Sequence, residues 1–494
     1  MYNPMVSEEV IHTLKINLPG GVVAAGDMLE ILDAVQKAGI ENIRFGTRQQ
    51  LFITASADQL ESLEHEFFVA NIDFELNTDQ QPNILSSYVA QNIFGNANWL
   101  GEGVYKDILD LFDFKPRLKI NLISSNQTFV PFFTGNLNFI SSAVSNYWHL
   151  HIRFPKTSIF YVWPVLVYTE DIALLSRDIE EVIQARPDLY CNRADINGTR
   201  LYQKAGSETK FIHYNNTANL ELPDFNLPYY EGFNKYDSNK YWLGIYRRDE
   251  AFSCAFLEDI CTLCIKSRIA QFYVTPWKSI IIKGIEEQLL WNTVLAKHRI
   301  NVRHASNELN WQVEDQCAYG LDLKQYLVKQ FDKEDLRTFK LSFAIKVNPK
   351  TGLFGSVIIR KQPDPSRESF DILHTRNFNP NSKDFVTFGT DISLTGLTPI
   401  LISLCNHYYD LQTRDSVLLH EDRVLEDEGA EDQLIQVHQC KNCLSVYDEE
   451  FGDEINDIEA GVAFNDLPDN YVCPTCNSEK QAFLPVSKYV LTQF

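Results

Sequence analysis

No run of eighteen or more apolar residues occurs in the 494-residue sequence, so no membrane-spanning helix is expected. The opening MYNPMVSEEVIHTLKINLPGG lacks the basic segment and apolar core of a secretory signal. Cations are also scarce. Against 66 Asp and Glu stand 44 Lys and Arg, a formal net charge of −22 with a pI near 4.9. A nucleic-acid phosphate backbone needs a Lys/Arg face, so nucleic acid is not an expected partner. The charge suits docking on the basic face of another protein. Without an export signal, the ten cysteines read as a metal site plus buried thiols in a reducing cytoplasm, not as disulfides. The Asn126-Gln-Thr128 and Asn197-Gly-Thr199 sequons carry no meaning in that compartment.

What is present is ordinary globular material, 45% apolar and 22% charged, in a chain too long for one core. One internal repeat stands out. Leu14 to Ile53 reads strand (LKINLPGGV), amphipathic helix (GDMLEILDAVQKAG), strand (NIRFGTRQQLFI), and Tyr241 to Ile285 repeats the order as YWLGIYRR, AFLEDICTLCIKSR and AQFYVTPWKSIIIKGI. Met28, Leu29, Ile31, Leu32 and Val35 in the first helix, and Phe256, Ile260, Leu263 and Ile265 in the second, recur at the three-and-four spacing of one buried face. Each copy precedes a longer segment with strand-like runs, at 117–124 and 147–154 after the first and at 339–347 and 352–361 after the second. A charge-dense stretch, LLHEDRVLEDEGAEDQL, follows and reads as a flexible linker.

The final segment holds Cys440-Lys-Asn-Cys443 and Cys473-Pro-Thr-Cys476, two C-x-x-C pairs separated by about 30 residues. Facing knuckles of this kind give tetrahedral S4 ligation to iron or zinc, and spacing alone favours zinc. The intervening residues favour iron. V-Y-D-x-x-x-G-D, then G-x-x-F-x-x-L-P-x-x-Tyr-V-C-P-x-C and a later Phe, resemble rubredoxin across the whole module. The resemblance implies one iron in a closed four-cysteine site cycling between ferric and ferrous forms, with Tyr447, Phe464, Tyr471 and Phe483 as aromatic core and Gly452, Gly461 and Pro468 shaping the loops. Leu444 and Asn477 stand where such proteins usually carry glycine, so an altered first knuckle is expected. From Cys440 to Phe483 ten Asp/Glu face two Lys, a charge that reads both as a solvated surface and as electrostatic steering toward a basic redox partner.

The opening LPGGVV…IRFGTRQQLFI resembles the ferredoxin-like half-domain of siroheme sulfite and nitrite reductases, and the second copy with V-T-P-W-K-S resembles its partner half-domain. This resemblance implies siroheme contacts by Arg48 of T-R-Q and by Arg117 and Lys119 after P-R, because a carboxylate-rich tetrapyrrole needs several cations; Arg48 reads equally as a structural arginine closing a pocket. Catalytic members also hold a [4Fe–4S] cluster on a C-x5-C and a C-x3-C pair. Cys191, Cys254, Cys261, Cys264, Cys317 and Cys405 show neither spacing, so no such cluster is expected. The family's R-N pair is Gln91-Asn92 here, which loses a further cation. Cys261 and Cys264 read as buried helix thiols, and His149 and His151, sharing a strand face, as ordinary hydrogen-bonded histidines.

The expected fold is α+β: two pseudo-repeated halves, each ferredoxin-like plus sulfite/nitrite-reductase-like, then a small rubredoxin-like metal domain. The boundaries expected are 7–84 and 85–235 for the first half, 236–310 and 311–418 for the second, 419–435 for the acidic linker and 436–485 for the metal domain. The expected function is cytoplasmic single-electron transfer to or from a redox partner, a reductase or siroheme enzyme with a basic docking face, in sulfite or nitrite assimilation. Two alternatives stand beside it: a divergent siroheme-dependent reductase, and a non-catalytic siroheme- or reductase-binding protein.

Overall fold

Leu51, Ile53 and Ala55 alternate with Phe52 and Thr54 in a computed structural model of the chain, and the alternation turns one strand face into a core. The structure describes residues 10–95, 99–208, 211–215, 219–336, 338, 340–348, 352–363, 367–382, 384–426, 436–442, 445–456, 458–476 and 478–487, the side chains of 206–208, 414–426, 436, 454 and 487 excepted. It divides into two compact units, Met1–Tyr409 and Asp410–Phe494.

In the first unit the first repeat supplies β1 (Ile11–Ile16), β2 (Val22–Ala24), the helix Ala25–Lys37, β3 (Asn42–Phe45) and β4 (Leu51–Ser56), followed by β5 (Glu75–Leu76). Strands β6 (Leu85–Ser86), β7 (Ile120–Ile123), β8 (Leu137–Ser141), β9 (Tyr147–Arg153), β10 (Phe160–Val162), β11 (Val165–Tyr168) and β12 (His213–Asn215) build the next layer. The second repeat supplies β13 (Gly232–Asp237), β14 (Lys240–Ile245), β15 (Ala251–Ser253), the helix Cys254–Lys266, β16 (Gln271–Val274) and β17 (Ile280–Ile285). The last layer holds β18 (Trp311–Val313), β19 (Phe343–Lys346), β20 (Val357–Lys361), β21 (Ser369–Thr375) and β22 (Phe385–Ser393).

The two copies of the repeat are in gapless register from β14 onward: β14, β15, the helix, β16 and β17 each begin 229 residues after β1, β2, the first helix, β3 and β4, from Ile11 and Lys240 to Leu51 and Ile280. They also exchange a strand. β2 pairs with β16 of the second copy, and β15 pairs with β3 of the first, giving the sheet orders β15-β3-β4-β1-β5 and β13-β14-β17-β16-β2. The two helices pack on each other, and Met28, Ile31, Leu32 and Val35 share one core with Phe256, Leu257, Ile260, Cys261 and Cys264. Ile265, expected on that face, is 53% exposed; the helical spacing gives its place to Cys261 and Cys264. The larger layers repeat as well. β6, β7 and β8 run parallel and then meet antiparallel β9, as β18, β19 and β20 run parallel and meet antiparallel β21.

The helix Leu394–Glu426 runs into the expected linker: residues 419–426 are helical, and 427–435 lie outside the described residues. Leu, Glu and Arg are good helix formers, so charge density there does not end the helix. Among the described residues no helix is long and apolar enough to cross a membrane.

The second unit carries a three-stranded sheet, β24 (Val446–Tyr447) beside β23 (Gln436–Cys440) beside β25 (Phe483–Ser487). Tyr447, Phe464, Leu467, Tyr471, Ala482 and Phe483 form its core with Cys440 and Cys473. The Tyr447 hydroxyl donates to Val462 O at 2.7 Å, and that of Tyr471 to Asp453 Oδ2 at 2.8 Å, so each buried phenol has its acceptor.

Candidate metal centre

Cys440 closes β23, and its N–H donates to Ser445 O at 2.8 Å; Cys473 N–H donates to Ser478 O at the same 2.8 Å. The same backbone bond thus recurs at the first cysteine of each pair, 33 residues apart from Cys440 to Cys473. The sulfurs of Cys440, Cys473 and Cys476 lie within 4.8 Å of one another. Across the knuckles, Cys440 and Cys476 Sγ are 3.7 Å apart. A tetrahedron with metal–sulfur bonds of about 2.3 Å has an edge of about 3.8 Å, so this spacing fits an S4 site. Cys440 and Cys473 are fully buried and Cys476 is exposed. Cys443, the fourth expected ligand, lies outside the described residues, as do Leu444 and Asn477.

Hydrogen bonds lace the knuckles together. Asn442 Nδ2 donates to Ser478 Oγ at 2.8 Å, and Thr475 Oγ1 donates to Ser445 Oγ at 3.2 Å. Ser478 Oγ lies 3.0 Å from Cys476 Sγ. Asn442, Thr475 and both serines are not among the residues that the cysteine and aromatic pattern singles out. The signal was present, since each pair is followed by serine two residues after its second cysteine.

Asp453 anchors the acidic loop. Burial raises its pKa, but bonds from Asn456 and Tyr471 outweigh that and hold it below the usual carboxylate range. His438 stacks on Phe464 with ring centroids 3.9 Å apart, and burial lowers its pKa.

Of the residues expected to grip siroheme, Arg48 and Lys119 lie near each other. Arg48 is buried, and its guanidinium is engaged by the protein: Nε donates to Asn83 O at 3.2 Å, Nη1 to Asn121 Oδ1 at 3.1 Å, and Nη2 to Asn83 O and Ile120 O, both at 2.9 Å. Burial pulls its pKa down to about 10. The neighbours in T-R-Q-Q are held equally: Asp315 accepts from Thr47, and Gln49 Nε2 donates to Ser86 O and Val274 O. Arg117 is exposed, its backbone N–H donating to Glu180 and its guanidinium to Gln184 at 3.4 Å. Lys119 is half-buried; burial lowers its pKa, and Arg48 and Arg153 lower it further. Cavities of 250 Å³, beside Lys15, Phe74 and Phe112, and 480 Å³, beside Arg44 and Phe52, are lined by none of the three cations. The Arg48 guanidinium thus faces protein oxygens, and that of Arg117 faces Gln184.

Cys261 and Cys264 are buried, and burial pushes the Cys261 thiol up to about 12 and the Cys264 thiol higher. His149 is buried. His151 departs from expectation: its Nε2 is buried with no hydrogen-bond partner among the described residues, and its ring packs 5.3 Å from that of Phe133. Burial, with His149 second, pulls its pKa down to about 4. In the unfolded chain an imidazole titrates near 6.5. Between those values the unfolded state binds the extra proton, so this stability is complete above pH 6.5 and lost as pH falls through about 4. His151→Leu is expected to flatten the loss of stability over that window, read as urea midpoint against pH. An unchanged slope sinks the assignment.

The rubredoxin family profile matches residues 437–483, and the nitrite/sulfite reductase ferredoxin-like half domain profile matches residues 4–67. The rubredoxin of Megasphaera elsdenii is 47% identical over 47 residues, which cover 10% of this chain and 88% of that protein. Rubredoxin-2 of Chlorobaculum tepidum is 40% identical over 48 residues, covering 10% of this chain and 92% of its relative. The structure of the Mycobacterium tuberculosis NirA protein superposes with a TM-score of 0.58 at 12% identity, covering 79% of this chain and 80% of that one; at that identity the likeness is one of fold. A rubredoxin domain implies one iron in a four-cysteine site, and the cysteine cluster is in place. Through its C-terminal unit this chain belongs to the rubredoxin family, fused to a body of the sulfite/nitrite-reductase-like fold.

Proposed function

We propose that the chain is an electron-transfer protein in which Cys440, Cys443, Cys473 and Cys476 hold one iron. Single electrons pass to or from a redox protein whose basic face meets the acidic C-terminal unit, and the reductase-like body serves as docking platform in sulfite or nitrite assimilation. The observation that carries this reading is the gathering of the Cys440, Cys473 and Cys476 thiols within 4.8 Å of one another. Iron bound there supplies one-electron cycling between ferric and ferrous forms. Buried Cys440 and Cys473 keep water from one side of the site, while exposed Cys476 offers an edge toward a partner. Between Lys441 and Lys480 there is no Lys or Arg and ten carboxylates, which favours a cationic partner face.

Full-length protein made in a siroheme-producing host is expected to contain about one iron per chain, to reduce and reoxidise reversibly, and to show no tetrapyrrole bands. Zinc in place of iron, or the absence of a reversible wave, sinks the proposal. A second reading, siroheme binding by the body, draws on Lys119, whose half-buried ammonium sits near Arg48 and Arg153 with no carboxylate bonded to it among the described residues. Siroheme bands would favour it, and sulfite- or nitrite-dependent turnover would make it a reductase.

A further inference from the structure

The two knuckles exchange hydrogen bonds by a rule of position. The residue before the second cysteine of each pair, Asn442 or Thr475, donates to the serine two residues after the second cysteine of the other pair, Ser478 or Ser445. At Ser478 the donor logic is fixed. An amide Nδ2 can only donate, so Ser478 Oγ accepts from Asn442 at 2.8 Å and keeps its own single proton for another acceptor. Cys476 Sγ is 3.0 Å away, and a metal-bound thiolate is an acceptor only. The direction is therefore Asn442 N–H to Ser478 O, then Ser478 O–H to Cys476 sulfur. Bonds in such a chain polarise one another, so the amide strengthens the hydroxyl as a donor.

We infer that Ser478, oriented by Asn442, is a positioning residue that raises the reduction potential of the four-cysteine site. The inference rests on the iron electron-transfer reading above. Reduction adds one electron to the iron and takes the site from one net negative charge to two; no bond is made or broken and no proton moves. A hydroxyl proton aimed at sulfur stabilises the more negative state more strongly, and so favours the ferrous form. Cys476 is the exposed member of the described cysteines, so this bond lies where charge would otherwise be stabilised by mobile water. The serine offers a fixed dipole that needs no reorganisation when the electron arrives.

The test is a spectroelectrochemical titration of full-length, iron-loaded protein. Ser478→Ala is expected to make oxidation about tenfold more favourable, a midpoint lower by ~59 mV for one electron. Ser478→Thr, which keeps the hydroxyl, restores most of the loss, and Asn442→Ala lowers the midpoint by less than Ser478→Ala. A merely structural role would change iron content or the unfolding midpoint and leave the potential of loaded protein unmoved. Equal midpoints in wild type and Ser478→Ala overturn the inference, as does a Ser478→Thr value as low as that of alanine. If Ser478→Ala does not hold iron, equal midpoints in wild type and Asn442→Ala overturn it instead. A wild-type protein with no reversible wave removes the electron-transfer reading itself, which separates the two failures.

Discussion

Cys440→Ala is expected to empty the metal site and unfold the C-terminal unit, while the unfolding transition of the body persists. The unit has a small core, six apolar or aromatic side chains around Cys440 and Cys473, and its sheet includes a strand of two residues, Val446–Tyr447. Domains of this size rarely supply more than about 3–5 kcal/mol from a hydrophobic core and depend on a metal or another staple. Binding free energy at a structural tetrathiolate is folding free energy, on the order of 10 kcal/mol, so losing a ligand costs more than the core can offset. Cys440 is a severe place to lose one, because it is fully buried and ends β23, the central strand. Metal analysis should fall from about one iron per chain to a trace, with the visible band lost. Thermal melts should keep the body transition and lose the other. Cys264→Ala is the control: that thiol lies in the body core, so iron content should not change. A Cys440→Ala protein that keeps its iron would show that Cys440 is not a ligand.

Much of this was legible in the chain because the signals are local. Two C-x-x-C pairs and the aromatics between them fall within 47 residues, and the repeat helices announce themselves by apolar spacing. The gapless 229-residue register was present in the alignment of FGTRQQLFI with VTPWKSIII. The strand exchange was not legible. Val22–Ala24 and Ala251–Ser253 are three residues long, and nothing in so short a run says which sheet it joins. The partners of Arg48, read either as a siroheme contact or as a structural arginine, were equally hidden. Its acceptors Asn83 O, Ile120 O and Asn121 Oδ1 lie 35, 72 and 73 residues away, and only the folded chain brings them to one guanidinium. The knuckle lacing was local, yet serine, threonine and asparagine are so common in turns that their positions drew no notice until distances were attached.

Arg48→Met is expected to destabilise the body strongly and to leave the iron site intact. The guanidinium bridges two layers of structure, tying the turn before β4 to Asn83 ahead of β6 and to Ile120 and Asn121 of β7. Methionine fills much of the volume but offers no donor, so buried acceptors on Asn83, Ile120 and Asn121 lose partners they cannot replace with water. Each orphaned buried acceptor costs about 1–3 kcal/mol. Some relaxation and sharing is available, since Asn83 O receives two of the bonds, so a loss of about 3–5 kcal/mol is the expected sum. Part of that is offset by relief of a charge held in a dry site, which burial shows by pulling Arg48 down to about 10. Urea denaturation followed by tryptophan fluorescence reads the effect, because Trp148, Trp163, Trp277 and Trp291 are buried in the body. The variant also separates the two meanings of this residue. A siroheme grip predicts tetrapyrrole bands that disappear in Arg48→Met with stability nearly unchanged. A structural clamp predicts a lowered urea midpoint, no tetrapyrrole in either protein and an iron content equal to wild type. The four protein-facing hydrogen bonds of Arg48 favour the second outcome.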